Sequence, residues 1–179
     1  MSLFGDDPAC GIATENNGDD FYTPPEVLDR LSPIALDPCW APASLVKAKK
    51  TYDFRQGQDG LQLSWRIDPA DGIVFANVPF SETAAWLIKA ANEAFRWQIV
   101  VAVLCPAVAG DGPWGAIVWP VKPLVGFTKH RLSFIRPDGQ REVKGRGHAL
   151  ILLGPDDACA TVAAGIGSDL FNWVRIVEF

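Results

Sequence analysis

Apolar runs in this chain stop on three groups of residues able to do chemistry: Asp37-Pro38-Cys39, Asn77-Val78-Pro79-Phe80 and Cys105-Pro106. In an open α/β sheet, ligands bind beyond the carboxyl ends of the strands, where loops converge and helix N-termini offer unpaired N–H groups. Strand ends that carry a carboxylate, an amide and an aromatic ring are therefore where a site is expected. Other chemistries lack their residues. No G-x-x-x-x-G-K-[ST], no G-x-S-x-G and no strand followed by G-x-G-x-x-G is read here, which argues against phosphate-loop hydrolysis, serine hydrolysis and ordinary dinucleotide binding. Cys10, Cys39, Cys105 and Cys159 form no C-x-x-C pair, and His130 and His148 are the only histidines. No metal site is expected from such scattered ligands, and the four cysteines read as free thiols in a reducing compartment. His130 and His148 read as a surface residue and a strand residue rather than as catalytic bases.

The elements that would position these residues follow from periodicity. Residues 1–20 hold five acidic side chains and no Lys or Arg, and are expected to form a flexible acidic tail. The domain is expected over residues 21–179. A helix is predicted to open at Pro24, with Thr23 as N-cap and Val27, Leu28 and Leu31 at helical spacing. Ile34-Ala35-Leu36, Gly72 to Ala76 and Ile99 to Leu104 are continuous apolar runs with polar or proline stops, as in strands buried on both faces of a sheet. Ser81 to Trp97, with Trp86, Leu87, Ala90 and Ala94 at helical intervals, separates the second run from the third and implies parallel pairing. Leu124 to Thr128 and Arg131 to Ile135 are expected to pair as an antiparallel hairpin across Lys129-His130. Pro137-Asp138-Gly139 marks a turn, and His148 to Leu153 and Val174 to Phe179 are further strands. The expected fold is a single α/β domain, Rossmann-like, with a mostly parallel sheet and an antiparallel edge.

At 179 residues and 49% apolar content, the chain is long enough for one sizeable core. The longest apolar run, Ile99 to Gly110, is broken by Pro106 and falls short of the roughly 20 residues that a bilayer span requires. A soluble, cytoplasmic protein is expected. The net charge of -5 hides an uneven distribution. From Lys122 to His148 stand Lys122, Lys129, Arg131, Arg136, Arg141, Lys144 and Arg146 against Asp138 and Glu142. A segregated basic surface is what contact with nucleic-acid phosphate requires. Trp114 reads equally as a core residue or as a wall of a target pocket.

In series, Tyr22-Thr23-Pro24, Leu36-Asp37-Pro38-Cys39, Asp59-Gly60-Leu61 with Trp65, Asn77-Val78-Pro79-Phe80 with Trp86 and Lys89-Ala90, and Arg131-Leu132-Ser133-Phe134 resemble, in order and approximate spacing, the phage-type Dam family of DNA N6-adenine methyltransferases. The likeness runs from about residue 19 to residue 153. It implies a minimal methyltransferase fold that binds S-adenosylmethionine and DNA, acting in the host cytoplasm if phage-encoded. By the same resemblance Tyr22, Thr23, Pro24, Asp37, Pro38 and Cys39 lie at the cofactor's methionine end and Asp59 near its adenine. The Asn77 amide oxygen and the Val78 carbonyl would each accept one N–H of the target amine, turning the nitrogen lone pair toward the sulfonium methyl. Pro79 stiffens the turn, and Phe80 offers a ring for the flipped base. Lys89 and Arg131 would meet phosphate, with Lys129, Arg136, Arg141, Lys144 and Arg146 extending that surface. The chain departs from the family's Asn-Pro-Pro-Tyr or Asp-Pro-Pro-Tyr: Val78 keeps the carbonyl but not the rigidity, and Phe80 keeps the ring. Transfer to N4 of cytosine, and a binding protein that has lost turnover, stay open as alternatives.

Overall fold

The computed structural model describes residues 21–176, apart from 32, 109–111, 113, 144 and 146. The expected tail at 1–20, and Lys144 and Arg146, lie outside the described residues.

Seven strands form one sheet in the order β2-β1-β3-β4-β8-β5-β9. They are β1 (Ile34–Trp40), β2 (Ala48–Asp53), β3 (Ile73–Asn77), β4 (Val101–Pro106), β5 (Leu124–Thr128), β8 (His148–Leu153) and β9 (Phe171–Arg175). β2, β1, β3 and β4 pair in parallel; β8 joins β4 antiparallel, and β5 continues antiparallel to β8 and β9. The architecture is mixed α/β, as the alternation of apolar runs and helical segments predicts.

Every central strand is apolar at successive positions because both faces are covered. Val74, Ala76, Val101, Val103, Cys105 and Ile151 point to one side, against Trp86, Leu87, Ala90 and Ala94 of α2 (Thr83–Trp97) and against Trp114 and Val118, which lead into the short α3 (Trp119–Val121). Ile73, Phe75, Ala102, Leu104, Leu150 and Leu152 point to the other, against Val27, Leu28 and Leu31 of α1 (Pro25–Leu31) and Cys159, Ala163 and Ile166 of α4 (Asp156–Ile166). The period of two within each run thus sorts the side chains into two cores.

Several expectations are corrected. α1 starts at Pro25 and Thr23 does not cap it: the Thr23 hydroxyl has no hydrogen-bond partner among the described residues. Proline at 25 removes one N–H that a cap would serve, and the N–H groups of Val27 and Leu28 take the Pro24 carbonyl instead. β5 does not pair with the run that follows it. It is inserted between β8 and β9, while β6 (Ser133–Ile135) pairs with β7 (Arg141–Val143) around the turn at Pro137-Asp138-Gly139. In β5, Val125 and Gly126 are buried one after the other and suit a central strand; in β6 only Phe134 is buried, between half-exposed Ser133 and Ile135. Gly139, at φ +80°, supplies the left-handed turn residue that Lys129-His130 lacks. The last strand falls at Phe171–Arg175, ahead of the expected Val174 to Phe179, and residues 177–179 are outside the described set.

The connection from β1 to β2 is seven residues, 41–47, although the strands are parallel. Seven residues extend to at most about 25 Å, enough to run back along β1 but not to wind a helix. That is why no helical period announces β2.

A candidate site at the carboxyl ends of β1 and β3

From β1 the chain passes to β2 on one side, and then returns to β3 on the other. The strand order therefore reverses between β1 and β3, and their carboxyl ends flank the crevice where open α/β sheets bind ligands.

Asp37-Pro38-Cys39 does not follow β1 but lies within it, a further correction. Pairing with β2 continues through Asp37 with Thr51 and Trp40 with Asp53, and the register shifts between those pairs. Pro38 cannot donate to the ladder, so the irregularity falls where it does least harm. Asp37 is only 3% exposed, and its carboxylate accepts the N–H of Cys39 at 2.9 Å. Burial pushes the Asp37 pKa up to about 7, against the opposing effect of that hydrogen bond. The Cys39 thiol is pushed well up, by burial first and then by the charges of Asp37 and Glu82, so it is no nucleophile.

The turn at Asp59 is brought to this point by close packing. Asp59 Oδ1 accepts the N–H of Leu61 at 2.9 Å. A methyl added at Gly60 would overlap the Pro38 carbonyl and touch the Trp86 ring. The Gly60 carbonyl accepts the Trp65 indole N–H at 2.7 Å, and the Trp65 ring stacks on Trp86 with centroids 6.1 Å apart. Beneath, Glu93 accepts from the Trp65 N–H and the Trp97 indole at 2.8 Å each, and from Lys89 Nζ at 2.7 Å. Burial alone would raise the Glu93 pKa; these hydrogen bonds reverse the effect and hold it below the usual carboxylate value.

Asn77 ends β3 beside Leu104 of β4. Its Nδ2 donates to the carbonyl of Phe21 at 2.6 Å, while its Oδ1 is buried without a hydrogen-bond partner among the described residues. A carbonyl facing one end of the amide identifies that end as the NH2, so the other end is the acceptor. The Thr23 hydroxyl, two residues beyond Phe21, is likewise buried and unpartnered. The structure thus brings together Tyr22-Thr23-Pro24 and Asn77 through Phe21, and Asp37-Pro38-Cys39 and Asp59 through Gly60. Val78 is buried, and Phe80 is half-buried with its ring edge-on to Phe134 at 6.1 Å and tilted against His148 at 5.4 Å. Part of the Phe80 ring therefore belongs to the packing, the core role that its type allowed beside the base-stacking one.

The basic residues separate into groups. Lys89, expected at phosphate, is instead committed to Glu93 and largely covered, because its position on α2 lies one turn from a buried carboxylate. Arg136 pairs with Glu142 and Asp138, and Arg141 with Glu26. Lys129 and Arg131 are exposed and have no ion pair among the described residues. Trp114 is core, stacked on Phe127 at 5.7 Å.

The sequence reading did not single out Glu82 or Glu93, and gave no separate role to Phe21 or Phe134, whose carbonyl and ring meet Asn77 and Phe80 only once distant elements come together. It also passed over Gly110-Asp111-Gly112-Pro113-Trp114-Gly115, whose letters match G-x-G-x-x-G after β4. That motif needs a parallel strand next in the sheet, whereas β4, parallel to β3 on one side, has the antiparallel β8 on the other. A cavity of about 530 Å³ is lined by Pro25, Leu28, Asp29, Ile34, Leu45 and Lys47, none of them among these residues. Among the described residues no helix is long and apolar enough to cross a membrane. No protein-family model and no curated protein matches the sequence.

Proposed function

We propose that this chain is an S-adenosylmethionine-dependent DNA methyltransferase acting on the N6 amine of adenine. The observation that carries the reading is the Asn77 amide: its Oδ1 is buried at the tip of a central strand without a partner among the described residues, and its orientation is fixed from behind by the Phe21 carbonyl. A buried acceptor left without a donor costs about 1–3 kcal/mol, an expense that a donor on a ligand would offset.

The residues present fit the cofactor. A buried carboxyl at Asp37 suits an ammonium, which would favour its charged form, and the orphaned Thr23 hydroxyl suits a carboxylate or an amine. When bound, the cofactor supplies an electrophilic methyl on a sulfonium. Asn77 Oδ1 and the Val78 carbonyl accept the two N–H hydrogens of the target amine, which draws the nitrogen lone pair out of conjugation with the base. Fixed acceptors of this kind lose nothing to reorganisation, and orientation accounts for the rest of their effect. Lys129 and Arg131 meet backbone phosphate.

The test is incorporation of labelled methyl from the cofactor into unmodified DNA, followed by digestion to nucleosides. N6-methyladenine in the product, with a loss of about 10²-fold or more in Asn77→Ala, supports the reading. N4-methylcytosine would reassign the target base. No incorporation across DNA of varied sequence, or an unaltered rate in Asn77→Ala, overturns it.

A further inference from the structure

We infer that the β6–β7 hairpin is a latch that sets the orientation of the Asn77 amide, acting through the backbone of Phe21 and Tyr22. The inference rests on the reading above only in taking Asn77 Oδ1 as the acceptor of the substrate amine.

Segment 21–26 is tied to the hairpin at three points. Tyr22 and Ile135 exchange two backbone hydrogen bonds, at 2.8 and 2.9 Å, so residue 22 acts as a third strand beside β6. Glu26 accepts both terminal nitrogens of Arg141 on β7, at 3.0 and 3.3 Å. The Phe21 ring meets the edge of Phe134, centroids 6.4 Å apart. On its far side the same segment presents the Phe21 carbonyl to Asn77, and that is the one hydrogen bond the Asn77 side chain makes among the described residues.

An asparagine amide has two ends of nearly equal shape. Without a partner that tells them apart, rotation by 180° exchanges oxygen for NH2, and a donor would then face the substrate amine. The Phe21 carbonyl accepts but cannot donate, so it admits a single orientation. The hairpin takes part in setting its position, because the next residue, Tyr22, exchanges both backbone hydrogen bonds with Ile135. Phe21 is therefore a positioning residue, acting by its backbone. A consequence is that aspartate cannot replace Asn77 in this chain: a carboxylate would set an acceptor against the Phe21 carbonyl.

The experiment is side-chain amide exchange of Asn77 by 15N NMR in the full-length protein, beside methyl-transfer kinetics. In the wild type the Asn77 NH2 protons are expected to exchange at least tenfold more slowly than those of exposed Asn92. Ile135→Pro, which removes the N–H given to Tyr22, and the pair Glu26→Gln with Arg141→Gln are each expected to erase most of that protection and to lower kcat with little change in KM for the cofactor. Arg175→Gln, which breaks an exposed ion pair with Asp156 of α4, is expected to change neither. If Ile135→Pro fails to fold, the Glu26 and Arg141 variants decide. Protection that survives loss of the hairpin contacts overturns the latch. A wild type that transfers no methyl overturns the enzymatic reading, while the exchange data still decide the latch.

Discussion

Gly60 packs directly against the carbonyl oxygen of Pro38, leaving no room for a side chain. This contact joins the turn that carries Asp59 to the strand that carries Asp37, two residues 22 positions apart that no local pattern links. The absent Cβ is what lets two backbones meet here.

Gly60→Ala is therefore expected to push the turn off β1. A stability loss of about 1–3 kcal/mol is expected from the forced overlap, together with weaker binding of S-adenosylmethionine. Thermal unfolding and calorimetric titration measure the two effects. A variant of unchanged stability would show that the turn can move freely.

Asp37 makes a pH prediction. Its folded pKa of about 7 lies above the ordinary value of 3.8, so the folded state holds the proton more tightly than the unfolded state does. The carboxyl then costs no stability in acid, costs progressively more as pH rises from about 4 to 7, and levels off above. Asp37→Asn keeps an oxygen for the Cys39 N–H and removes the cost. It is expected to gain on the order of 2–4 kcal/mol at pH 8 and almost nothing at pH 4, while losing affinity for the cationic cofactor. Urea unfolding at the two pH values checks this, and destabilisation at pH 8 would contradict it.

Glu93 has the opposite sign. Its pKa is held below the ordinary 4.5 in spite of burial, by Lys89, the Trp65 N–H and the Trp97 indole. Its contribution is present above about pH 4.5 and is lost as the pH falls through the folded-state value. Glu93→Ala leaves three donors without their acceptor and is expected to cost about 3–5 kcal/mol at pH 7. In Glu93→Gln the acid limb of the stability profile is expected to flatten, which unfolding measured from pH 3 to 7 would reveal.

Lys89 and Arg131 are expected to part company on DNA. Lys89→Ala breaks the Glu93 pair and lowers stability with little effect on DNA affinity. Arg131→Ala leaves stability within about 0.5 kcal/mol but weakens binding and lowers the salt slope by about one. Titrations of labelled duplex at several salt concentrations separate the two. Equal losses of affinity in both variants would place Lys89 at the phosphate after all.

Much of the fold was legible because it is written in periods. The runs at 72–76 and 99–104 and the amphipathic 81–97 appear as strands and helix within one or two residues, since a sheet covered on both faces demands unbroken apolar residues and a covering helix demands one apolar stripe. β2 was not legible: Ala48-Lys49-Lys50-Thr51 sits at a sheet edge with two lysines facing water, so burial leaves no mark on it. α4, rich in alanine with only Cys159, Ala163 and Ile166 buried, shows almost as little. The pairing of β5 failed for a different reason, because two adjacent strands in sequence need not be neighbours in a sheet when a third run, His148 to Leu153, is apolar on both faces and competes for the same edge.

The sequence by itself determined the apolar strands β1, β3, β4, β5 and β8, the helix between β3 and β4, and the residue types at the strand tips, because these depend on local preference and on how apolar residues alternate. Only the tertiary structure decided which way the Asn77 amide points, that Glu93 accepts the Trp65 N–H, and that Gly60 rests on Pro38. Each of those depends on a partner 22 to 56 residues away along the chain, and where such a hydrogen bond or close contact forms is set by the packing of whole elements rather than by neighbours in sequence.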